Sequence, residues 1–142
     1  MTIKFPFHLA IPSKNLQDSL DFYKRIFPIQ IGRQANEWID LNFYGHQLVL
    51  HLDNSHLKGS NIKNPVDGDS IPVPHFGIVL NIETFEEIKN NIIEKKIEFL
   101  LSPKIRFKNQ PGEQHTMFVQ DPSENVIEIK AFKSSADLFK IK

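Results

Sequence analysis

The sequence contains no cysteine, which excludes disulfide bonds, thiolate metal ligands and cysteine nucleophiles. It has no excess of either charge, because 17 lysines and arginines balance 17 aspartates and glutamates. Without a basic cluster the chain is not expected to bind nucleic acid, and no apolar run approaches the ~20 residues of a membrane span. The N-terminal residues show no signal-peptide pattern, so we expect a soluble cytoplasmic protein.

The same order of elements is predicted twice along the chain. The first half reads as a strand, a helix capped by Ser13 or Asn15, and three strands, over residues 5–12, 16–27, 30–33, 38–43 and 47–52. The second half reads in the same order, with its helix capped by Thr84, over residues 75–82, 85–93, 97–101, 115–120 and 125–132. Such a repeat predicts two modules that share one core.

These elements predict one domain over residues 1–142. Module one covers about residues 5–53, and module two covers about residues 74–133. A linker rich in proline and glycine is predicted over about 54–73, and a C-terminal tail over 134–142.

Three ionisable residues lie inside segments that read as buried strands. His8 lies in the first strand of module one, His75 begins the first strand of module two, and Glu128 lies in the last strand. A lone charge or imidazole in such a place is costly, and a shared metal would offset that cost. Two histidines and one carboxylate bind one face of a metal and leave other positions open for a substrate.

The C-terminal segment carries a resemblance to a known family. It reads Met117-Phe118-Val119-Gln120-Asp121-Pro122-Ser123-Glu124-Asn125-Val126-Ile127-Glu128, and its Asp-Pro turn and Glu are similar to the signature of type I extradiol dioxygenases. The signature's Tyr, Gly and upstream His are replaced: Phe118 and Glu124 stand at the first two places, and residues 109–111 contain no histidine. The segment from Trp38 to Leu52 resembles small, predicted dioxygenase-related proteins of the same group.

The group is the vicinal-oxygen-chelate superfamily, which includes glyoxalases, bleomycin-resistance proteins and fosfomycin-resistance transferases. The resemblance covers about residues 5–132 and implies an α+β fold. Two βαβββ modules would form a cupped, barrel-like mixed sheet with the helices outside. It also implies a divalent metal held by His8, His75 and Glu128, and modules that pair within one chain or across a dimer.

The fourth position at the metal is left open by the sequence. Glyoxalases place a carboxylate on the last strand of module one, and alignment of the turns puts Val49 opposite Glu128. Gln47 and His51 share the face of Val49 by strand alternation and are the candidates for a fourth ligand or base. His51 is either a fourth ligand or base, or a hydrogen-bonded histidine at the pocket rim.

Other residues are candidates for the substrate pocket. Arg106 and Lys108 flank Phe107 in a stretch, 103–114, that is predicted to be irregular and typical of a binding loop, where they either clamp an anionic substrate or are solvated. The predicted pocket set is Trp38, Arg106, Glu113, Thr116 and Phe118.

These features predict a divalent-metal-dependent enzyme with extradiol-dioxygenase-like cleavage of a small oxygen-chelating substrate. Fe(II) is favoured, and Mn(II), Ni(II), Co(II) or Zn(II) also suit the ligands. The alternatives are a glyoxalase-type lyase or isomerase and a non-catalytic antibiotic-binding resistance protein. The exposed sheet edges and the apolar residues Leu138, Phe139 and Ile141 predict a homodimer.

Overall fold

The computed structural model describes residues 3–53, 55 and 62–141. Contacts divide the chain into two compact units, and each is described by itself. The first contains Met1–Gly59 and Asp121–Asn125, and the second contains Ser60–Gln120 and Val126–Lys142. Among the described residues, no helix is long and apolar enough to cross a membrane.

The first unit is one helix and a four-stranded mixed sheet. Its elements are β1 (His8–Ser13), α1 (Leu16–Ile26), β2 (Gln30–Ala35), β3 (Trp38–Phe43) and β4 (His46–Leu52). The strand order is β1-β4-β3-β2, with β1 parallel to β4 and the other pairs antiparallel. The Asn15 cap is confirmed, because its side chain accepts a 3.0 Å hydrogen bond from the Asp18 amide.

Alternation gives the first sheet two unlike faces. One face is apolar and buried, and its Leu48, Leu50 and Phe43 belong to the core with the apolar side of α1; the Phe43 ring meets the Phe27 ring at 5.0 Å. The other face carries polar side chains, among them His8 and Gln47, which are exposed. The alternation of apolar and polar residues along the strands therefore determines which face of the sheet is available for chemistry.

The second unit repeats this architecture and adds a hairpin. Its elements are β5 (Ile62–Val66), β6 (Asp69–Val73), β7 (Phe76–Asn81), α2 (Ile82–Glu94), β8 (Leu101–Arg106), β9 (Gln114–Gln120), β10 (Val126–Phe132) and a 3-10 helix (Ser135–Phe139). The sheet order is β7-β10-β9-β8, with β7 parallel to β10. The two βαβββ modules of an α+β fold are confirmed, and they form two separate open sheets rather than one barrel.

The β5–β6 hairpin occupies part of the stretch predicted as a linker. Asp67 and Gly68 join its strands with φ of 44° and 86°, a left-handed turn suited to hairpins. Ile71 of β6 packs with Phe118 and Val126 of the main sheet. Residues 54 and 56–61 of the predicted linker lie outside the described part of the chain.

Two boundary predictions were wrong. The second helix is capped by Asn81 and not by Thr84, because the Asn81 side chain accepts from the Thr84 amide at 2.8 Å. The strand predicted over 97–101 is β8, which runs from Leu101 to Arg106 and contains Pro103. Its pairing with β9 is irregular between Leu101 and Lys104, where a proline that cannot donate is tolerated.

The Asp-Pro turn of the C-terminal segment is a structural anchor within the first unit. The buried Tyr23 hydroxyl donates to Asp121 Oδ2 at 2.8 Å, and Asp121 Oδ1 accepts from the amides of Ser123 and Asn125. Burial raises the pKa of Tyr23, so it remains a neutral donor. The motif's aspartate therefore holds the turn that precedes β10.

Candidate metal centre

The second unit brings two of the predicted ligands together. His75 directly precedes β7, and its Nε2 lies 3.2 Å from Oε1 of Glu128 on β10. Glu128 is buried, with 7 % of its surface exposed, as expected from its place in a central strand. Both atoms face one another on the side of the sheet that the β5–β6 hairpin covers.

Each of the two side chains is held by a second partner. His75 Nδ1 lies 2.7 Å from the Pro72 carbonyl of β6, and a carbonyl only accepts, so Nδ1 carries a proton. Thr116 Oγ1 donates to Glu128 Oε2 at 2.6 Å. Metal-ligating histidines usually donate their other ring N–H to a carbonyl, a carboxylate or water, and ligating carboxylates usually accept a further hydrogen bond. This leaves Nε2 and Oε1 directed at each other.

Two lone-pair atoms at that distance require a positive charge between them. The hydrogen bond to Glu128 raises the pKa of His75 against the opposing effect of burial. Burial opposes ionisation of Glu128, but hydrogen bonds from His75 and Thr116 outweigh it and lower its pKa. The pair is therefore an imidazolium and a carboxylate when a proton supplies the charge, with Lys130 Nζ 3.7 Å from Oε1.

Gly77 lets the strand bearing Glu128 approach closely. Gly77 of β7 pairs with Glu128 of β10 in the parallel register. A Cβ atom at residue 77 would lie 1.6 Å from the Glu128 backbone oxygen. Any other residue would displace one of the two strands.

His8 lies in the first unit, at the start of β1, with an exposed side chain. Its Nδ1 is 2.8 Å from Gln47 Oε1, the paired residue on β4. An amide oxygen accepts, so Nδ1 is the donor and Nε2 keeps its lone pair. His8 and His75 thus both donate from Nδ1, although their Nδ1 partners differ.

The register of the first sheet confirms the alignment of Val49 with Glu128. Val49 pairs with Ala10, two residues after His8, as Glu128 pairs with Gly77, two residues after His75. His51, which is exposed, lies two residues further along the same face and pairs with Trp38. Val49 also pairs with Asp40 of β3.

Asp40 was not singled out as a site residue from the sequence. It lies on the face that carries His8, and Arg33 Nε is 3.8 Å from its Oδ2. The signal that finds it is the alternation of Trp38, Asp40 and Asn42 in β3. A carboxylate therefore lies one strand away from the position that lacks one.

The predicted pocket residues of the second unit fall into two groups. Thr116 and Phe118 lie on the Glu128 face of β9, and the Phe118 ring meets the His75 ring at 5.2 Å. Glu113 precedes β9, accepts from the Asn109 amide and pairs with Lys133 at 3.6 Å.

Arg106 is not in a loop as predicted. It ends β8 and is buried, with 2 % of its surface exposed. Its Nη1 donates to the Val66 carbonyl at 2.6 Å and lies 3.0 Å from Asp69 Oδ2. Arg106 thereby ties the β5–β6 hairpin to the main sheet, and the loop predicted from 103 shortens to residues 107–113.

The donor set of the second unit fits a divalent cation. Nε2 of His75 and Oε1 of Glu128 supply an imidazole nitrogen and a carboxylate oxygen, which suit Fe(II), Mn(II), Co(II), Ni(II) and Zn(II). Among residues 3–53, 55 and 62–141, no three histidine or carboxylate side chains gather closely enough to hold a metal. The His75–Glu128 pair thus supplies two donors, fewer than a metal site needs.

Comparison with known proteins identifies the family. The model of the glyoxalase/bleomycin resistance protein/dioxygenase superfamily matches residues 6–129. The chain belongs to this superfamily. No curated protein gives a significant match.

Solved structures share the fold over nearly the whole chain. A glyoxalase/bleomycin resistance protein/dioxygenase from Alicyclobacillus acidocaldarius is 28% identical, with a TM-score of 0.78 and coverage of 96% of this chain and 97% of that one. A genomically encoded fosfomycin resistance protein from Listeria monocytogenes is 14% identical, with a TM-score of 0.71 and coverage of 97% and 100%. A lactoylglutathione lyase from Agrobacterium tumefaciens is 15% identical, with a TM-score of 0.63 and coverage of 92% and 96%. The last two share the fold alone.

Proposed function

We propose that this protein is a divalent-metal-dependent enzyme acting on a small substrate that chelates the metal through two oxygens. The observation that carries the proposal is the His75–Glu128 pair, in which an imidazole nitrogen and a carboxylate oxygen lie 3.2 Å apart and each side chain is held by another group. The Nδ1 bond to the Pro72 carbonyl and the Thr116 bond to Glu128 are of the kind that usually orient metal ligands.

His8 is proposed as the third ligand. It occupies the place in module one that His75 occupies in module two, and a hydrogen bond to its Nδ1 leaves Nε2 available. With two histidines and one glutamate, the metal would act as a Lewis acid and template. His75 and Glu128 would be kept in place by Pro72 and Thr116, and Phe118 would exclude water beside the imidazole.

Within this class, we favour extradiol-dioxygenase-like cleavage with Fe(II). The support is the facial set of two histidines and one carboxylate, together with the Asp121-Pro122 turn before Glu128. Phe118 pairs directly with Glu128 in the place of the signature's tyrosine and has no hydroxyl. Any proton transfer to the substrate must therefore come from another group.

A glyoxalase-type lyase or isomerase is the second candidate, and Asp40 favours it. Such chemistry needs a carboxylate base on module one. Val49 cannot supply it, but Asp40 pairs with Val49 and lies on the same face as His8. Asp40→Asn would then abolish turnover while metal binding persists. A non-catalytic binding protein is less well supported, because it has no need of the oriented pair.

Metal content of purified variants tests the proposal. Protein reconstituted anaerobically with Fe(II) should hold one metal per chain by elemental analysis, and His8→Ala, His75→Ala and Glu128→Ala should each lose it, since a three-ligand site has no spare ligand. His51→Ala is the matched control, because His51 lies on the face of His8 beyond the position of Val49.

The outcomes separate the alternatives. Full occupancy in any of the three ligand variants contradicts the site, and loss of metal in His51→Ala makes His51 a fourth ligand. Oxygen uptake with a panel of catechols distinguishes a dioxygenase from a lyase, which consumes no oxygen. We further propose that the protein is a cytoplasmic homodimer.

A further inference from the structure

The Glu128 face of the second sheet also carries a row of lysines. Lys104 pairs with Thr116, and Thr116 pairs with Lys130, so the two lysines lie on either side of the residue that bonds Glu128. Adjacent strands are about 4.8 Å apart, which places the lysine Cα atoms about 10 Å from each other. Both side chains are about one third exposed, so their ammonium groups can reach a ligand between them.

Three cations on this face share two carboxylates. Lys104 Nζ and Arg106 Nη1 lie 2.8 and 3.0 Å from the same Asp69 oxygen, and Lys130 Nζ lies 3.7 Å from Glu128 Oε1. Among the described residues, Arg106 Nη2 is buried without a hydrogen-bond partner, as is Oε1 of Gln114, the residue paired with Arg106. The face therefore carries more cationic side chains than carboxylates to pair with them.

A metal would enlarge this imbalance. Glu128 would become a ligand, and Lys130 would then lie beside a dication while its carboxylate partner Glu128 is engaged by the metal. Three side-chain cations and a dication would face the two carboxylates Asp69 and Glu128, an excess of three positive charges. In a half-buried site such an excess is costly unless an anion accompanies it.

We infer that the substrate of this site carries an oxyanion, a carboxylate, phosphonate or phosphate, which Lys130 and Lys104 bind beside the metal. The metal's place in this inference rests on the proposed function, whereas the lysine site is a property of the sheet itself. Lysine binds such groups as a point charge, and the third cation, Arg106, adds to the field from beneath the hairpin.

Binding of methylphosphonate, followed by phosphorus NMR, tests the inference. The protein loaded with Mn(II) should bind methylphosphonate and broaden its signal, and the neutral ester dimethyl methylphosphonate should not bind. Lys130→Met should weaken binding about tenfold or more, the usual effect of losing a hydrogen bond to a charged group, while metal content stays unchanged. Lys130→Arg should restore most of it. Lys95→Met, on the exposed end of α2, is the matched control and should leave binding unaltered.

A second titration keeps this inference separate from the proposed function. Metal-free protein should still bind methylphosphonate, more weakly and with the same dependence on Lys130, by isothermal titration. If metal binds but neither form binds the anion, or if Lys130→Met matches Lys95→Met, the inference is overturned and the metal site remains. If metal does not bind but the lysine-dependent binding persists, the proposed function fails and the anion site remains.

Discussion

At the scale of single residues, two hydrogen bonds hold the candidate centre in place, one from His75 to the Pro72 carbonyl and one from Thr116 to Glu128. His75 and Glu128 were predicted from their placement in apolar strands, and the structure brings them together. Their outer partners, the Pro72 carbonyl and Thr116, became visible only with the register, because hydrogen bonds depend on which side chains share a face. Arg106 was assigned to the wrong environment because Pro103 suggested that the strand had ended.

Thr116 is predicted to control metal affinity without touching the metal. Thr116→Val keeps the shape of the side chain but leaves Glu128 Oε2 without its donor. We expect metal affinity to fall about 10- to 100-fold, the usual effect of losing an outer hydrogen bond, as measured by competition with a chelating dye. Thr116→Ser is the control, because it keeps the hydroxyl. Equal affinities of the Val and Ser variants would show that the hydroxyl has no such role.

The His75–Glu128 pair predicts a pH dependence of stability in the metal-free protein. The folded-state pKa of His75 is raised, so its contribution is complete below its ordinary value and is lost as pH rises through the raised value. The folded-state pKa of Glu128 is lowered, so its contribution is present above its ordinary value and is lost as pH falls through the lowered one. The pair therefore stabilises the fold most between the ordinary pKa of a glutamate and the ordinary pKa of a histidine.

Urea unfolding with a chelator present measures this effect. The free energy of unfolding should differ most between the natural protein and Glu128→Gln near about pH 6, which lies between the ordinary values of the two groups. The difference should shrink as the pH rises through the raised pKa of His75, because the imidazole then loses its charge. A difference that stays constant over this range would mean that the two groups are not coupled as an ion pair.

At the scale of elements, regular strands were predicted well and the exceptions have physical causes. Residues 38–43 alternate cleanly, and β3 has those bounds. The β5–β6 hairpin was missed because its prolines, Pro65 and Pro72, masked a period-two pattern, although Asp67-Gly68 is a typical hairpin turn. The hairpin has only two strands, so both are edge strands, in which prolines are tolerated.

Gly77 is predicted to be indispensable for the pairing of β7 with β10. Gly77→Ala would place Cβ 1.6 Å from the Glu128 backbone oxygen, so a strand must move. We expect a loss of about 1–3 kcal/mol in the free energy of unfolding, typical of overpacking, and weaker metal binding.

Gly32→Ala is the control for this substitution. Gly32 also lies in a strand, and a Cβ there would lie 3.3 Å from the Asp40 Cβ, a tight contact but not an overlap. Thermal unfolding of the two variants gives the comparison. If Gly77→Ala unfolds at the same temperature as Gly32→Ala and keeps its metal, the close approach of β7 to β10 is not a constraint.

At the scale of the whole molecule, exposed apolar side chains near both ends of the chain support the proposed homodimer. Phe5 and Phe7 are 79% and 65% exposed, and Phe139 and Ile141 are 85% and 87% exposed. Large apolar side chains that remain in water lose the stabilisation of about 1.5–3 kcal/mol that burial of each provides. A second copy of the chain would supply that burial.

Sedimentation equilibrium at micromolar concentration tests the dimer. We expect the double variant Phe139→Ser/Ile141→Ser to weaken association by more than about tenfold, since each tenfold change corresponds to about 1.4 kcal/mol and two buried apolar side chains exceed that. Ile93→Ser is the matched control, because Ile93 is also exposed, at 58%, but lies on α2. A mass of 16.5 kDa for the natural protein at every concentration would rule out the homodimer. Association that persists in the double variant would exclude the tail as its interface, because the apolar area that drives it would have to lie elsewhere.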